Sequence, residues 1–328
     1  MANENELNSD KSNIDLKNQI AELANEMSLY ETEVEEYFDS TNFIFKSLFL
    51  DHETNKPKTL LYYLQELSLE LLDFVNKVCK KHEISWWLDF GNLLGAVRHG
   101  GYVPWDDDVD IGMMREDYLR FDDIIIDEVK DHDLSDIIEV GYRPFRPGIP
   151  KFTQVYVRHE IDTSKGRKLV LGNVDVFPYE YIKEYDENTI VETYRDVKNQ
   201  YLYHRAHDYN SRFCFDTYYE SLNLSWEPTK YIIPGWENPC TPDDMYKLFV
   251  IETDKIFPLR EIKFEDKIFP CPNDSDEYLS KEYNDYMNIP KAMRKHDNMG
   301  FFRYNTNNDE VFNKCLNKLK EVNKNFDY

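Results

Sequence analysis

The stretch 86–112, WWLDFGNLLGAVRHGGYVPWDDDVDIG, constrains the fold of this chain more than any other. Its pattern predicts a strand, a glycine turn, a short helix, a loop and a second strand. Carboxylates stand at every other residue, Asp106, Asp108 and Asp110. Because alternate side chains of a strand share one face, about 7 Å apart, Asp108 and Asp110 are expected to point the same way. Asp107 is expected to face away from them.

This pattern suits phosphate chemistry assisted by a divalent cation. Carboxylate oxygens bind Mg²⁺ or Mn²⁺, which neutralise a polyphosphate and guide an oxygen nucleophile. Gly91 and Asn92 are expected to end the first strand and open the helix, so that free backbone N–H groups there meet a phosphate. Arg98 follows as a phosphate-binding guanidinium. A Gly-X turn followed by alternating Asp and apolar residues predicts a nucleotidyltransferase-type site.

Two simpler interpretations compete with this one. An acidic loop is often a solvated surface turn, and a D-x-D-x-D segment also resembles a calcium-binding loop. The calcium loop requires glycine at its sixth position. Here Ile111 occupies that position and Gly112 comes one residue late, so the calcium interpretation fails. The alternating apolar residues, the glycine turn and Arg98 favour the catalytic interpretation over the surface turn.

The segment GNLLGAVRHGGYVPWDDDVDIGM closely resembles the signature of the LicD family. These are phosphocholine transferases that decorate bacterial cell-surface glycans, and fukutin and fukutin-related protein are similar to them. The order of glycine turn, Arg-His, Pro-Trp and Asp cluster carries the resemblance. Asn92 departs from the family, which usually has Thr or Ser there. The resemblance covers 60–178 and 256–300 and is strongest at 91–113.

The segment NVDVFP contains a further acidic residue, Asp175, between two valines. From the residues alone, a solvent-facing edge strand and a charge-receiving site explain it equally well. LicD proteins have a similar Asp-hydrophobic-Phe-Pro segment, and this resemblance implies that Asp175 is a third metal ligand beside Asp108 and Asp110. Asp106 then contacts a second metal or accepts the proton of the attacking hydroxyl.

The segment 257–297 resembles the LicD C-terminal region, in which strands lead into a capped helix and a Tyr, Pro, Arg and His ending. Asp274 is the expected helix cap. The resemblance implies that Arg294 binds a donor phosphate and His296 the donor or acceptor, although a solvated helix end explains either residue alone. The other predicted substrate-binding residues lie in the signature: Gly91, Asn92, Arg98 and His99.

Composition excludes several classes of protein. The chain has 39 Lys and Arg against 63 Asp and Glu, a net charge of −24, which excludes a general nucleic-acid binder. Its 5 cysteines are odd in number and form no CxxC pair, which indicates reduced thiols in a cytoplasmic protein. No signal peptide and no run of about 18 apolar residues is present, so we expect no transmembrane segment and at most peripheral membrane association.

The sequence predicts an α+β fold, a nucleotidyltransferase-like mixed β-sheet with packed helices. The predicted divisions are a disordered tail, 1–13, a helical arm, 14–57, the LicD-like domain, 58–305, with a helical acceptor-binding insertion at 182–250, and a C-terminal tail or helix, 306–328. Apolar residues at heptad spacing over 16–34 are consistent with a helix through which the protein forms a homo-oligomer. They are equally consistent with a helix that packs on its own domain.

The resemblance implies transfer of a phospho-alcohol such as phosphocholine from a CDP-alcohol donor, for example CDP-choline. The acceptor would be a sugar hydroxyl of a cell-surface glycan, such as a teichoic acid or lipopolysaccharide, or its lipid-linked precursor. Two alternatives stay open. A nucleotidyltransferase that moves a whole NMP would use the same metal site, and a non-catalytic glycan-binding protein would have lost the chemistry.

Overall fold

A computed structural model of the protein describes residues 60–144, 151–162, 167–206, 216, 218–238, 248–288 and 308–327. Contacts divide the chain into two units, and all of these residues belong to the unit Pro57–Ile289 with Asn298–Tyr328. The predicted N-terminal tail and arm lie outside the described residues, as do Arg294 and His296.

The described helices and strands alternate over 60–144 and come in runs after that. The helices are α1 (Leu60–Lys81), α2 (Phe90–His99), α3 (Arg115–Asp131), α4 (Ile190–Ala206), α5 (Thr253–Ile256), α6 (Ser275–Tyr283) and α7 (Asn308–Lys324). The strands are β1 (Trp86–Leu88), β2 (Asp110–Met114), β3 (Ile138–Pro144), β4 (Lys151–Asp162), β5 (Arg167–Ile182), β6 (Leu224–Ser225), β7 (Tyr231–Pro234), β8 (Ile251–Glu252), β9 (Arg260–Phe264) and β10 (Lys267–Cys271).

A mixed sheet of 8 strands forms the centre of the fold, with the main order β1-β2-β5-β4-β3. Strands β2 and β5 run parallel, whereas β1, β4 and β3 pair antiparallel with their neighbours. The end of β5 also pairs with β6 and β7, and β7 pairs with β8. Strands β9 and β10 form a separate hairpin. The predicted α+β class with a mixed sheet is confirmed.

Helix α1 shows how the apolar pattern of the sequence becomes the core. Leucines and aromatic residues at spacings of three and four place one stripe on one face of the helix. The stripe packs on β5 and α7. Its described members are fully or almost fully buried: Leu64, Leu67, Leu71, Phe74 and Val78. The same helix therefore supports β5, the central strand of the sheet.

The predicted helical insertion, 182–250, is only partly helical. It contains α4, but β6 and β7 are strands that extend the main sheet along the end of β5. The apolar pair Ile232 and Ile233 explains the difference, because both side chains are fully buried within β7. In the described residues, the prediction of a helical insertion holds for α4 and is wrong for β6 and β7.

A buried ionic network joins this insertion to the start of α3. Arg115 donates from Nε to Glu180 Oε1 at 2.6 Å, and from Nη1 and Nη2 to the two oxygens of Glu237 at 2.9 and 2.7 Å. Tyr219 donates its hydroxyl to the other oxygen of Glu180 at 2.5 Å. Removing one partner of such a buried pair leaves an uncompensated charge, so the network fixes how β5, β7 and α3 fit together.

Candidate active site

Two carboxylates face each other across the parallel strands at the centre of the sheet. Asp110 is the first residue of β2, and its Cα partner on β5 is Asp175. The backbone N–H of Asp175 donates to the carbonyl of Val109 at 2.7 Å, which continues the ladder past the start of β2. Because paired residues of adjacent strands point to the same face, the two carboxylates lie on one side of the sheet.

The residues just before β2 form an acidic loop, Asp106–Asp107–Asp108, rather than the predicted strand. One carboxylate oxygen from each of the three lies within 4.8 Å of the others. Asp107 is only 3% exposed and belongs to this group. The prediction that Asp107 faces away was wrong, because the alternation of side chains holds in a strand and these residues form a loop.

The first strand ends earlier than predicted, at Leu88, and Asp89 caps α2. Asp89 Oδ1 accepts from the backbone N–H of Phe90 at 2.8 Å. The Asp89 carbonyl accepts from the N–H groups of Asn92 and Leu93, each at 3.0 Å. Phe90 has a φ of 40°, which turns the chain sharply from strand to helix. The expectation that Gly91 and Asn92 form this turn, with free N–H groups for a phosphate, was therefore wrong for Asn92.

Asn92 is fully buried and binds the backbone of the acidic segment. Its Nδ2 donates to the Asp108 carbonyl at 3.2 Å, and its Oδ1 accepts from the Asp110 N–H at 2.6 Å. The Asn92 side chain thus binds the backbone on both sides of the junction between the acidic loop and β2. Its amide is directed at the protein backbone, whereas the sequence predicts a contact with substrate.

Other elements anchor the acidic loop from outside. Gln65 on α1 donates from Nε2 to the Asp106 carbonyl at 2.8 Å. Tyr102 donates its backbone N–H to Glu265 Oε1, in the β9–β10 turn, at 3.0 Å. Gly91, in the first turn of α2, lies against the Asp106 carboxylate. The loop is therefore held by α1, α2 and the hairpin together.

A further carboxylate, that of Asp89, is buried close to the start of β2. It is fully buried and accepts hydrogen bonds from the hydroxyls of Tyr278 at 2.8 Å and Tyr179 at 2.7 Å. Burial raises the pKa of Asp89 to about 6, although these hydrogen bonds and that of Phe90 oppose the rise. Asp89 also donates its backbone N–H to the Asp110 carbonyl at 3.1 Å, so this network supports the start of β2.

Burial and crowding of negative charge together shape the electrostatics of the site. Burial raises the pKa of Asp110 well above its usual range, and the charges of Asp108, Asp175, Asp106 and Asp89 raise it further. Burial likewise raises the pKa of Asp106, and the charge of Asp108 adds to this effect. A site of this kind favours a proton or a cation.

Two side-chain amides that the sequence did not single out contact Asp175. Gln154 Nε2 donates to Asp175 Oδ1 at 2.5 Å, and Asn173 Nδ2 donates to the same oxygen at 2.9 Å. Asn173 stands two residues before Asp175 on the same face of β5, which the alternation of a strand could have indicated. Gln154 comes from β4, and only the register of the sheet reveals it.

The predicted basic residues lie at the other end of α2. Arg98 donates from Nη1 to the Tyr286 carbonyl at 2.7 Å and from Nε to His99 Nε2 at 3.0 Å. His99 is exposed and meets the ring of Trp105 edge-on, with 6.5 Å between centroids. Arg98 thus connects α2 to the segment that follows α6. As predicted, Asp274 caps α6, accepting from the Glu277 N–H at 3.1 Å.

Comparisons with known proteins find several sequences that are similar to this chain. Residues 83–223 match the family model described as LicD/FKTN/FKRP, nucleotidyltransferase domain, which confirms the resemblance inferred from the sequence. The lipopolysaccharide cholinephosphotransferase LicD of Haemophilus influenzae is 26% identical over 262 residues, covering 71% of this chain and 93% of that protein. An uncharacterised protein of Rickettsia typhi is 43% identical over 72 residues, 22% of this chain and 21% of that protein.

A shorter match reaches an animal protein. The human ribitol 5-phosphate transferase FKRP is 46% identical over 48 residues, which cover 15% of this chain and 10% of that protein.

Among the helices that the structure describes, none combines the length and hydropathy needed to span a bilayer.

Proposed function

Since residues 83–223 match the family model described as LicD/FKTN/FKRP, nucleotidyltransferase domain, we propose that the protein moves a phospho-alcohol such as phosphocholine from a CDP-activated donor to a sugar hydroxyl. The acceptor is a cell-surface glycan or its lipid-linked precursor. The carrying observation is the convergence of the acidic loop, Asp110 and Asp175 within the family segment. The names of two relatives, a cholinephosphotransferase and a ribitol 5-phosphate transferase, support a phospho-alcohol as the transferred group.

The donor set fits Mg²⁺ or Mn²⁺. These hard cations prefer carboxylate oxygens. Burial, and then the neighbouring charges of Asp108 and Asp175, raise the pKa of Asp110, and a divalent cation would offset that concentration of negative charge. In our proposal Asp108, Asp110 and Asp175 hold the cation. When bound, the cation supplies charge neutralisation for the donor pyrophosphate.

The protein's own residues handle the proton and orient the reactants. The acceptor oxygen bonds to the distal phosphorus of the donor, the bond from that phosphorus to the bridging oxygen breaks, and CMP leaves with the electron pair. We assign Asp106 as the carboxylate that takes the hydroxyl proton. Burial and the charge of Asp108 raise the pKa of Asp106, which makes it a stronger base than an ordinary aspartate.

The remaining predicted substrate-binding residues complete the proposal. Arg98, held by the Tyr286 carbonyl, and Arg294 bind the donor phosphates, since a guanidinium forms paired hydrogen bonds with phosphate oxygens. His99 and His296 contact the donor or acceptor. In this proposal the protein is cytoplasmic. A lipid-linked acceptor would bring it into peripheral association with the membrane surface.

Calorimetry with and without Mn²⁺ tests the proposal, with CDP-choline, CDP-ribitol, CDP-glycerol, CTP and ATP as ligands. We expect one CDP-alcohol to bind only with metal, and Asp175→Asn to abolish that binding. Asp127→Asn is the matched control, because its side chain is 73% exposed on α3. Tight binding of a nucleoside triphosphate instead would indicate NMP transfer. Binding of no nucleotide by folded protein would overturn the proposal in favour of a non-catalytic glycan-binding protein.

A further inference from the structure

The carboxylate of Asp175 is held by two amides that come from different strands. Gln154 is the Cα partner of Asp175 on β4, and Asn173 lies two residues earlier on β5. Both donate to one oxygen, Oδ1, at 2.5 and 2.9 Å. A carboxylate oxygen has two lone-pair directions, so this pair of donors occupies both and fixes how the carboxylate is turned.

Burial shows what these amides can and cannot contact. Gln154 is 3% exposed and Asn173 is 4% exposed, so neither presents its side chain to a bulky substrate. Burying a side-chain amide costs free energy unless it finds hydrogen-bond partners. Both amides meet this requirement at the same carboxylate oxygen, on the face of the sheet that carries Asp110.

We propose that Gln154 and Asn173 are positioning residues for the divalent-cation site, acting through the orientation of Asp175. The inference rests on the proposed function, because it assumes that Asp175 is a ligand of the cation. Partners that hydrogen-bond to a metal ligand orient it, and losing one typically weakens metal affinity by about 10-fold to 100-fold.

A purely structural role for the two amides makes a different prediction. Strands β4 and β5 are already joined by a long antiparallel ladder of backbone hydrogen bonds. If the amides only strengthened this pairing, their loss would lower the melting temperature and leave cation affinity unchanged. Affinity for the cation therefore separates the two roles, and it can be measured without any substrate.

The test compares Gln154→Met, Asn173→Leu and the double variant, which keep similar volume and remove the donors. Mn²⁺ affinity is measured by calorimetry and by electron paramagnetic resonance of the free ion, and apo melting temperature by calorimetric scanning. We expect about 10-fold weaker Mn²⁺ binding for each single variant and about 100-fold for the double variant. If Gln154→Met does not fold, Asn173→Ala removes one donor with a smaller side chain.

Thr153→Val is the matched control. Thr153 neighbours Gln154 on β4, is fully buried, and its hydroxyl lies 3.0 Å from Tyr118 Oη and 2.7 Å from Asp122 Oδ1. Because adjacent residues of a strand face opposite sides, this variant damages β4 away from Asp175. We expect it to lower the melting temperature and to keep wild-type Mn²⁺ affinity.

Each alternative outcome has a distinct meaning. If the wild type binds Mn²⁺ and the amide variants bind it equally well, the positioning role is wrong and the proposed function stands. An equal loss in Thr153→Val would also overturn the positioning role, since any damage to β4 would then suffice. If the folded wild type binds no Mn²⁺, the cation of the proposed function is wrong, and this inference falls with it.

Discussion

Gly91 leaves room for the carboxylate of Asp106: a Cβ atom added at Gly91 would come to 2.5 Å from Asp106 Oδ2. The obstructing atom ends a side chain, so an alanine there would displace the Asp106 carboxylate rather than the backbone. We predict that Gly91→Ala lowers kcat/KM at least about 10-fold, because a misplaced catalytic group loses much of its effect, and changes the melting temperature little. Steady-state kinetics and calorimetric scanning measure the two effects.

Gly100→Ala is the control for this variant. Gly100 ends α2 with a φ of 74°, and nothing lies within 4 Å of an added Cβ. Alanine there should cost about 1 kcal/mol of stability through backbone strain, with little change in the activity of the folded protein. If Gly91→Ala kept full activity, the assignment of Asp106 to proton transfer would lose its support.

Asp110 is predicted to serve activity at the expense of stability. Its raised pKa means that the folded protein holds the ionised form at a cost near neutral pH. Asp110→Asn should therefore melt at a higher temperature than the wild type when divalent cations are removed by EDTA. Its turnover should fall by at least about 100-fold. A variant that melts lower in EDTA and still turns over would contradict both assignments.

Asn92 offers a direct choice between a positioning role and a substrate contact. Asn92→Ala removes both hydrogen bonds to the acidic segment and leaves the buried Asp110 N–H without this acceptor. We predict a loss of about 2 kcal/mol in the free energy of unfolding, measured in urea, and a lower kcat. A rise in donor KM alone, with unchanged stability, would favour the substrate contact that the sequence predicts. Asn92→Thr, one of the two residues that the resemblance leads us to expect there, should recover part of both losses.

Asp89 should make stability depend on pH. Its pKa is about 6 in the folded protein and about 4 in an unfolded chain. Because the folded state binds the proton more tightly, the stability that Asp89 contributes is complete below about pH 4 and is lost as the pH rises through about 6. Asp89→Asn keeps a helix-capping side chain and removes the titration.

Urea unfolding of both proteins between pH 4.5 and pH 8 tests this sign. We expect the stability of Asp89→Asn relative to the wild type to increase with pH, by about 2 kcal/mol between pH 4.5 and pH 8. Parallel pH profiles for the two proteins would show that Asp89 titrates normally and that its burial by Tyr179 and Tyr278 has little energetic effect.

Local patterns predicted the elements that local physics determines. The apolar stripe of α1 and the alternation of valine and aspartate around Asp175 depend on residues a few positions apart, and the structure has a helix and a strand at these places. The acidic loop was wrongly predicted as a strand because alternating Asp and apolar residues are typical of a strand, whereas strand pairing begins only at Asp110. Local periodicity cannot show where a partner strand ends.

Contacts between distant segments could not be read from the sequence. Gln154 looks like one more alternating residue in KFTQVYV until the register of β4 against β5 places it opposite Asp175. Asp89 looks like the end of an apolar strand, yet it caps α2 and accepts hydrogen bonds from Tyr179 and Tyr278. Such partners become visible only when the sheet order is known.

The parallel pairing of β2 and β5 also sets when the site can exist during synthesis. Asp110 and Asp175 are joined through α3, β3 and β4, and the two meet only when β5 has entered the sheet between β2 and β4. A chain emerging from the ribosome therefore displays its acidic loop long before the opposing carboxylate is made. The complete cluster is a property of the finished fold, and a nascent or partly unfolded chain lacks it.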